Sequence, residues 1–180
     1  MKEKTTYVAF LRGINVGGHH KVPMADLKEE MAALGFSEVE TLLNSGNIIF
    51  SSPEKEEMEI EGSIAARLES TYGFQVPVLV RKGEEMLQLF KSDPFEEVDI
   101  THDIRLYVSF LKQHPQEIQL PWVSEDQSFR ILEIQGRTVC SVLDISKMGS
   151  TKAMEALEKI FGKNITTRNW NTVEKIAAKL

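Results

Sequence analysis

The chain has 180 residues, 42% of them hydrophobic and 27% charged, a balance that supports a buried core and excludes a disordered or fibrous polymer. Its 21 Lys and Arg against 27 Asp and Glu leave a formal net charge of −6, so the field of the whole chain repels polyanions and a nucleic-acid site has to be a local patch. A single cysteine, Cys140, leaves no internal disulfide, no run of about 18 apolar residues occurs, and the start MKEKTTYVAF lacks the apolar core of a secretory leader; the expectation is a cytoplasmic protein with no membrane partner.

Tyr7 to Leu11 is an unbroken apolar run, the pattern of a central strand covered on both faces. A glycine-rich loop, Arg12 to Val22, follows it. Pro23 then opens a helix on Met24, Leu27, Met31 and Leu34 that Gly35 stops. Val39 to Leu43 and Ile48 to Ser51 read as strands joined by Asn44-Ser45-Gly46-Asn47, whose Asn and Gly suit a hairpin turn. A second amphipathic helix on Ile60, Ile64, Leu68 and Tyr72 ends at Gly73, and Val76, Val78 and Val80 alternate as a strand. Pro77 within it cannot donate to a ladder, which places this strand at a sheet edge.

The order is β-α-β-β-α-β, the split βαβ pattern of ferredoxin-like sandwiches. The second half reads similarly. Ile104, Leu106, Val108 and Phe110 alternate, a polar stretch with Pro115 and Pro121 follows, and Phe129 to Ile134 and Thr138 to Leu143 form another hairpin around Gln135-Gly136-Arg137. A helix on Met154, Leu157, Ile160 and Phe161 ends at Gly162, Thr166 to Arg168 is a short extended piece, and Asn171 with Glu174 reads as a capping box for a last helix. The expected fold is α+β, two ferredoxin-like subdomains packed together: residues 1–82, a connecting helix and loop over 83–100, and residues 101–180 with the terminal helix.

In this topology the loop after the first strand and the turn between the second and third leave the same end of the sheet. Arg12, Gly13, Asn15, Gly17, Gly18 and Lys21 thus approach Asn44, Ser45 and Asn47, combining two cations, amide side chains and a backbone that a ligand can approach closely. Arg offers bidentate donors and Lys a point charge, the chemistry that suits a phosphate or carboxylate. The same glycines and Asn-Gly pairs also serve ordinary turns. The loop is neither GxxxxGK[ST] nor GxGxxG, and the helix after it begins at Pro23 with Asp26 in its first turn, so an anion would rely on the loop and its side chains rather than on the helix dipole.

Other chemistry-bearing residues carry less. His19-His20 lacks further metal ligands nearby, so no metal is expected, and nothing implies a cofactor. His102, Asp103 and His114 read as exposed groups beside a strand, Cys140 as packing rather than a nucleophile, and the pairs Glu56-Glu57 and Glu84-Glu85 as solvated helical positions. Arg168, Asn169, Trp170 and Asn171 crowd a cation, two amides and an indole into one segment. Trp170 reads as a core anchor and Asn171 as a cap, leaving Arg168 and Asn169 to join a ligand site if the packed halves bring them to the Arg12 loop.

FLRGINVGG at 10–18 with Lys21-Val22-Pro23-Met24, LLNSGNIIF at 42–50 and TTRNWNTV at 166–173 resemble an uncharacterised bacterial family known as a domain of unknown function. The resemblance implies two ferredoxin-like subdomains and brings no established activity, cofactor or catalytic residue. Its motifs fall on the three segments that the chemistry selects. The functional expectation is binding of a small anionic ligand, a nucleotide or phosphorylated metabolite, with Arg12, Lys21 and Arg168 as charge partners and Asn15, Asn44, Asn47 and Asn169 as orienting groups. An enzymatic version lacks a recognisable base, nucleophile or metal cage. The alternatives are a nucleic-acid-binding module, against which stand the acidic balance and the absent aromatic strand signature, and a ligand-free interaction scaffold.

Overall fold

The computed structural model describes residues 3–180, which divide into two compact units: one runs to Gln88 and includes Lys179 and Leu180, the other spans Leu89–Ala178. In the first, β1 (Lys4–Leu11) leads to α1 (Met24–Ala33), β2 (Ser37–Leu42), β3 (Asn47–Pro53), α2 (Glu57–Tyr72) and β4 (Val78–Lys82). The sheet order is β2-β3-β1-β4 with every pair antiparallel, the ferredoxin-like arrangement. Helix α3 (Gly83–Ser92) follows β4.

Alternation along β1 explains the core. Tyr7, Ala9 and Leu11 share a face with Ile48, Phe50, Val78 and Val80, and onto that face pack Leu27 and Met31 of α1 and Ile60, Ile64 and Leu68 of α2. Val8 and Phe10, on the opposite face, are also fully buried, as a strand apolar on both sides requires.

Strand β4 lies at the sheet edge, just after Pro77. Its outward amides are closed by two carboxylates one helical turn apart on α2: Val80 N–H donates to Glu61 Oε1 at 3.0 Å and Lys82 N–H to Glu57 Oε1 at 3.1 Å. Glu61 is buried and Glu57 half-buried, so Glu57 is not the solvated position its sequence neighbourhood suggests. An edge whose N–H groups are occupied in this way no longer offers a template for another strand.

The second unit comprises β5 (Ile104–Leu111), β6 (Trp122–Val123), β7 (Phe129–Gln135), β8 (Thr138–Asp144), α4 (Ser150–Phe161), β9 (Ile165–Asn169) and α5 (Trp170–Ala177). Its order, β6-β7-β8-β5-β9, repeats the first sheet's order with β6 added at one edge. Between β5 and β7 there is no crossover helix; the segment carries Pro115 and Pro121, neither of which can continue an α-helical ladder. Helix α4 places Ala153 and Leu157 on Leu111, Phe129, Ile131, Val139, Leu143 and Ile165. Cys140 is buried, and burial, reinforced by the Glu133 charge, pushes its thiol up to about 12, which suits a packing residue and not a nucleophile. The expected Asn171 cap is corrected: β9 runs straight into α5, Asn169 holds the N-cap position with extended backbone and no side-chain cap bond, and Asn171 sits inside the first turn.

Candidate functional site

The end of β1 and the β2–β3 turn meet as the topology requires. Leu11 N–H donates to Gly46 O at 2.8 Å, and Arg12 N–H donates to Pro77 O at 3.0 Å. Gly46 has φ +83°, and a Cβ built there would lie 2.8 Å from both Leu11 Cβ and Ile14 Cδ1. Only glycine fits this approach.

Asn15 is the brace of the loop. Its Nδ2 donates to Val22 O at 3.0 Å and to Asn44 O at 2.8 Å, while its Oδ1 accepts from Val22 N–H at 2.8 Å. The backbone of Asn15 adopts φ +55°, a left-handed conformation that asparagine tolerates better than most residues. Its own N–H donates to His20 O at 3.1 Å. One amide side chain therefore closes the base of the loop and ties it to the neighbouring turn.

Two further residues complete the frame. Asn47, fully buried, donates from Nδ2 to Leu42 O at 2.8 Å and to Ser45 Oγ at 3.1 Å. His20 stacks on Phe74 with ring centroids 4.3 Å apart, and its Nδ1 lies 3.3 Å from Gly13 O, a bond that forms when Nδ1 carries the proton. Nothing local marks Phe74 as a partner of this loop, because His20 lies 54 positions away in the chain. Among the described residues no group of three His, Cys, Asp or Glu side chains could hold a metal ion.

With the frame fixed, the groups facing outward are few. Lys21 and Asn44 are exposed and their side chains have no protein partner among the described residues; Ser45 and His19 are exposed beside them, and Arg12 is half-buried. Gly17 and Gly18 follow one another with φ +59° and +77°, and their N–H groups meet no protein acceptor among the described residues. The two glycines are the central pair of a tight turn, closed by His19 N–H donating to Val16 O at 3.0 Å, a turn whose positive φ values glycine supplies. The loop, Arg12 to Val22, contains no carboxylate.

Arg168 and Asn169 stand in the second unit on β9. Arg168 Nη1 donates to Thr167 O at 3.1 Å, and burial draws its guanidinium down to about 10, still a cation at neutral pH. Asn169, Trp170 and Asn171 line a cleft together with Asp93, Phe95, Glu96 and Glu174. Neither this cleft nor the aromatic packing behind it was legible in the sequence, since residues 93–103 show no motif.

The chain is thus an α+β protein of two ferredoxin-like units with a pinned, glycine-rich loop at one sheet end. It belongs to the family described as Protein of unknown function (DUF1697), whose model matches residues 4–139; the 166–173 segment lies beyond that match. No curated protein matches the chain. Among solved structures, the conserved bacterial protein SP0830 from Streptococcus pneumoniae is similar in fold, with a TM-score of 0.72 and 24% identity over 98% of this chain and 98% of that one. Among the described residues no helix is long and apolar enough to cross a membrane.

Proposed function

We propose that the first unit binds a small anionic ligand, a nucleotide or a phosphorylated metabolite, at the 12–21 loop. The observation that carries this reading is the pairing of a rigid frame with outward donors: Asn15 and Gly46 immobilise the loop, while Lys21 and the Gly17 and Gly18 amides remain without protein acceptors among the described residues. Backbone donors already fixed in this way lose little conformational entropy on binding, whereas the Lys21 side chain is ordered only by the ligand. Arg12 adds a second cation at the loop's base, and Asn44 an exposed amide.

A thermal-shift panel of inorganic phosphate, pyrophosphate, nucleotides and sugar phosphates against wild type and Lys21→Ala tests it. Stabilisation by a binder grows as RT ln(1 + [L]/Kd), about 2.7 kcal/mol at a hundredfold excess over Kd. Because Lys21 is exposed, the variant keeps the unliganded melting temperature and loses the ligand shift. A second reading, in which the loop motifs only lock the fold, is favoured by the full engagement of Asn15 and Asn47 with backbone and turn atoms. Under it no anion shifts the wild-type protein.

A further inference from the structure

We propose that the second unit binds a small zwitterion with an aliphatic body, of the amino-acid class, in a cleft on the face of its sheet opposite α4. Strand register builds the cleft. Val123 pairs with Arg130 and Arg130 with Val142, while Ile104 pairs with Asp144, two residues further along β8. Paired residues share a face, as do residues two apart on one strand, so these five side chains stand together. Phe129, Ile131 and Leu143, at the alternate positions, pack with Ala153 and Leu157 of α4 instead. The five line a space of about 530 Å³, within the range of small-molecule sites.

Arg130 carries the argument. Of the seven arginines in the chain, it alone makes no hydrogen bond or ion pair among the described residues, although it is half-buried. A guanidinium withdrawn from solvent ordinarily meets a carboxylate. Asp144 lines the same cleft and is not that partner. Ser146 donates from both N–H, at 3.0 Å, and Oγ to Asp144 Oδ1, and Lys147 Nζ lies 3.8 Å from Oδ2. A carboxylate offers about four acceptor positions, so Oδ2 can take a further donor.

Arg130 and Asp144 are diagonal neighbours on β7 and β8, a relation that sets side chains roughly 7–8 Å apart, and they form no ion pair with each other. Opposite charges held apart in one cleft select an occupant that carries both. Asp144 repels a simple anion and Arg130 a simple cation. The complementary molecule therefore places a carboxylate on Arg130 and an ammonium on Asp144 Oδ2. Val123, 42% exposed, and half-buried Ile104 supply apolar surface for its body. No aromatic side chain among the described residues lines the cleft, which favours an aliphatic one.

The test uses L-leucine, which has all three features, with isocaproate, which lacks the ammonium, and isoamylamine, which lacks the carboxylate. Backbone amide NMR shifts at Arg130 and Val142 report binding. Saturable shifts with leucine are expected, with each single-charge analogue about 10-fold weaker, the scale of one charge-assisted hydrogen bond. Arg130→Gln weakens leucine by a similar factor, leaves isoamylamine no weaker, and keeps the wild-type melting temperature, because Arg130 has no protein bond to lose. Arg130→Lys, which retains the charge, restores part of the affinity. Leucine tighter than leucyl-leucine assigns the cleft to free amino acids and the reverse order to short peptides; both orders bear out the paired charges. Lys21→Ala leaves leucine binding unchanged, which separates this cleft from the loop of the first unit. Equal affinity for leucine and isocaproate, unchanged leucine affinity in Arg130→Gln, or no saturable shift with any of these compounds overturns the proposal.

Discussion

Replacing Asn15 by alanine removes three hydrogen bonds and leaves a β-carbon residue in left-handed backbone. The Val22 N–H, on a residue that is fully buried, loses its acceptor, which costs about 1–2 kcal/mol. The Val22 carbonyl loses its donor, about 1 kcal/mol more, while the exposed Asn44 carbonyl turns to water at little cost. Alanine at φ +55° adds about 1 kcal/mol. The expected destabilisation is therefore about 3 kcal/mol. Asn15→Gly relieves the backbone component and costs about 2 kcal/mol on the same reasoning. Asn15→Asp retains an acceptor for Val22 N–H but turns a carboxylate toward two carbonyls, and is expected to be at least as damaging as alanine. Urea unfolding followed by circular dichroism gives the free energies, and hydrogen exchange at the Val22 amide reports the local bond directly. A loss under 1 kcal/mol in Asn15→Ala, or unchanged protection at Val22, refutes the bracing role.

Gly46→Ala places a Cβ 2.8 Å from two core carbons at φ +83°, so a loss of about 2–4 kcal/mol is expected from strain and overpacking together; a variant as stable as wild type would show that the turn relaxes away from Leu11. Glu61→Ala strips the acceptor from Val80 N–H and is expected to destabilise by about 1–3 kcal/mol, whereas Glu61→Gln keeps an oxygen there and costs under about 1 kcal/mol; equal losses would place the role of Glu61 in its charge. Asp126 accepts from Ser128 Oγ, Ser124 Oγ and Ser128 N–H, which hold its carboxyl at about 2, below its ordinary 3.8. A folded-state value below the unfolded one means that its contribution is present above about pH 4 and is lost as pH falls through about 2. Carboxyl-carbon NMR of Asp126 is expected to titrate near 2, and a midpoint near 3.8 would dissolve the three-bond arrangement.

The first unit was readable because its signals are local. Five apolar residues at 7–11, helical spacing closed by Gly35 and Gly73, and a proline that sends its strand to the sheet edge each constrain the chain within a few positions, although that strand starts at Val78, just after Pro77 and not around it. The meeting of the 12–22 loop with the 43–47 turn was readable for the same reason, as strand directions alone decide it. What Asn15 and Asn47 do there was not. An amide that binds a backbone carbonyl and one that awaits a ligand carry the same letter, and only the distances to Val22, Asn44 and Leu42 tell them apart. Glu57 looked like an ordinary helix charge and Glu61 drew no reading at all, because their acceptor role depends on the position of β4. The start of α5 slipped by two residues because the Asn171–Glu174 spacing imitates a cap that β9, running on into the helix, leaves no room for. The Trp170 cleft needs residues 93–103, ahead of β5, folded beside α5, and nothing periodic in that stretch announces it.

Isothermal titration of pyrophosphate into wild type and Lys21→Ala, repeated at raised salt, addresses the loop most directly. Saturable one-site binding to the wild-type protein is expected, weakening with salt as an exposed charge interaction must, and weaker by about 10-fold in Lys21→Ala, a loss of about 1.4 kcal/mol, with the variant's melting temperature unchanged. Absence of heat with pyrophosphate and with every other anion of the panel, or equal affinity in the two proteins, would contradict an anion site at the loop and leave Asn15, Gly46 and Asn47 as elements of the fold alone.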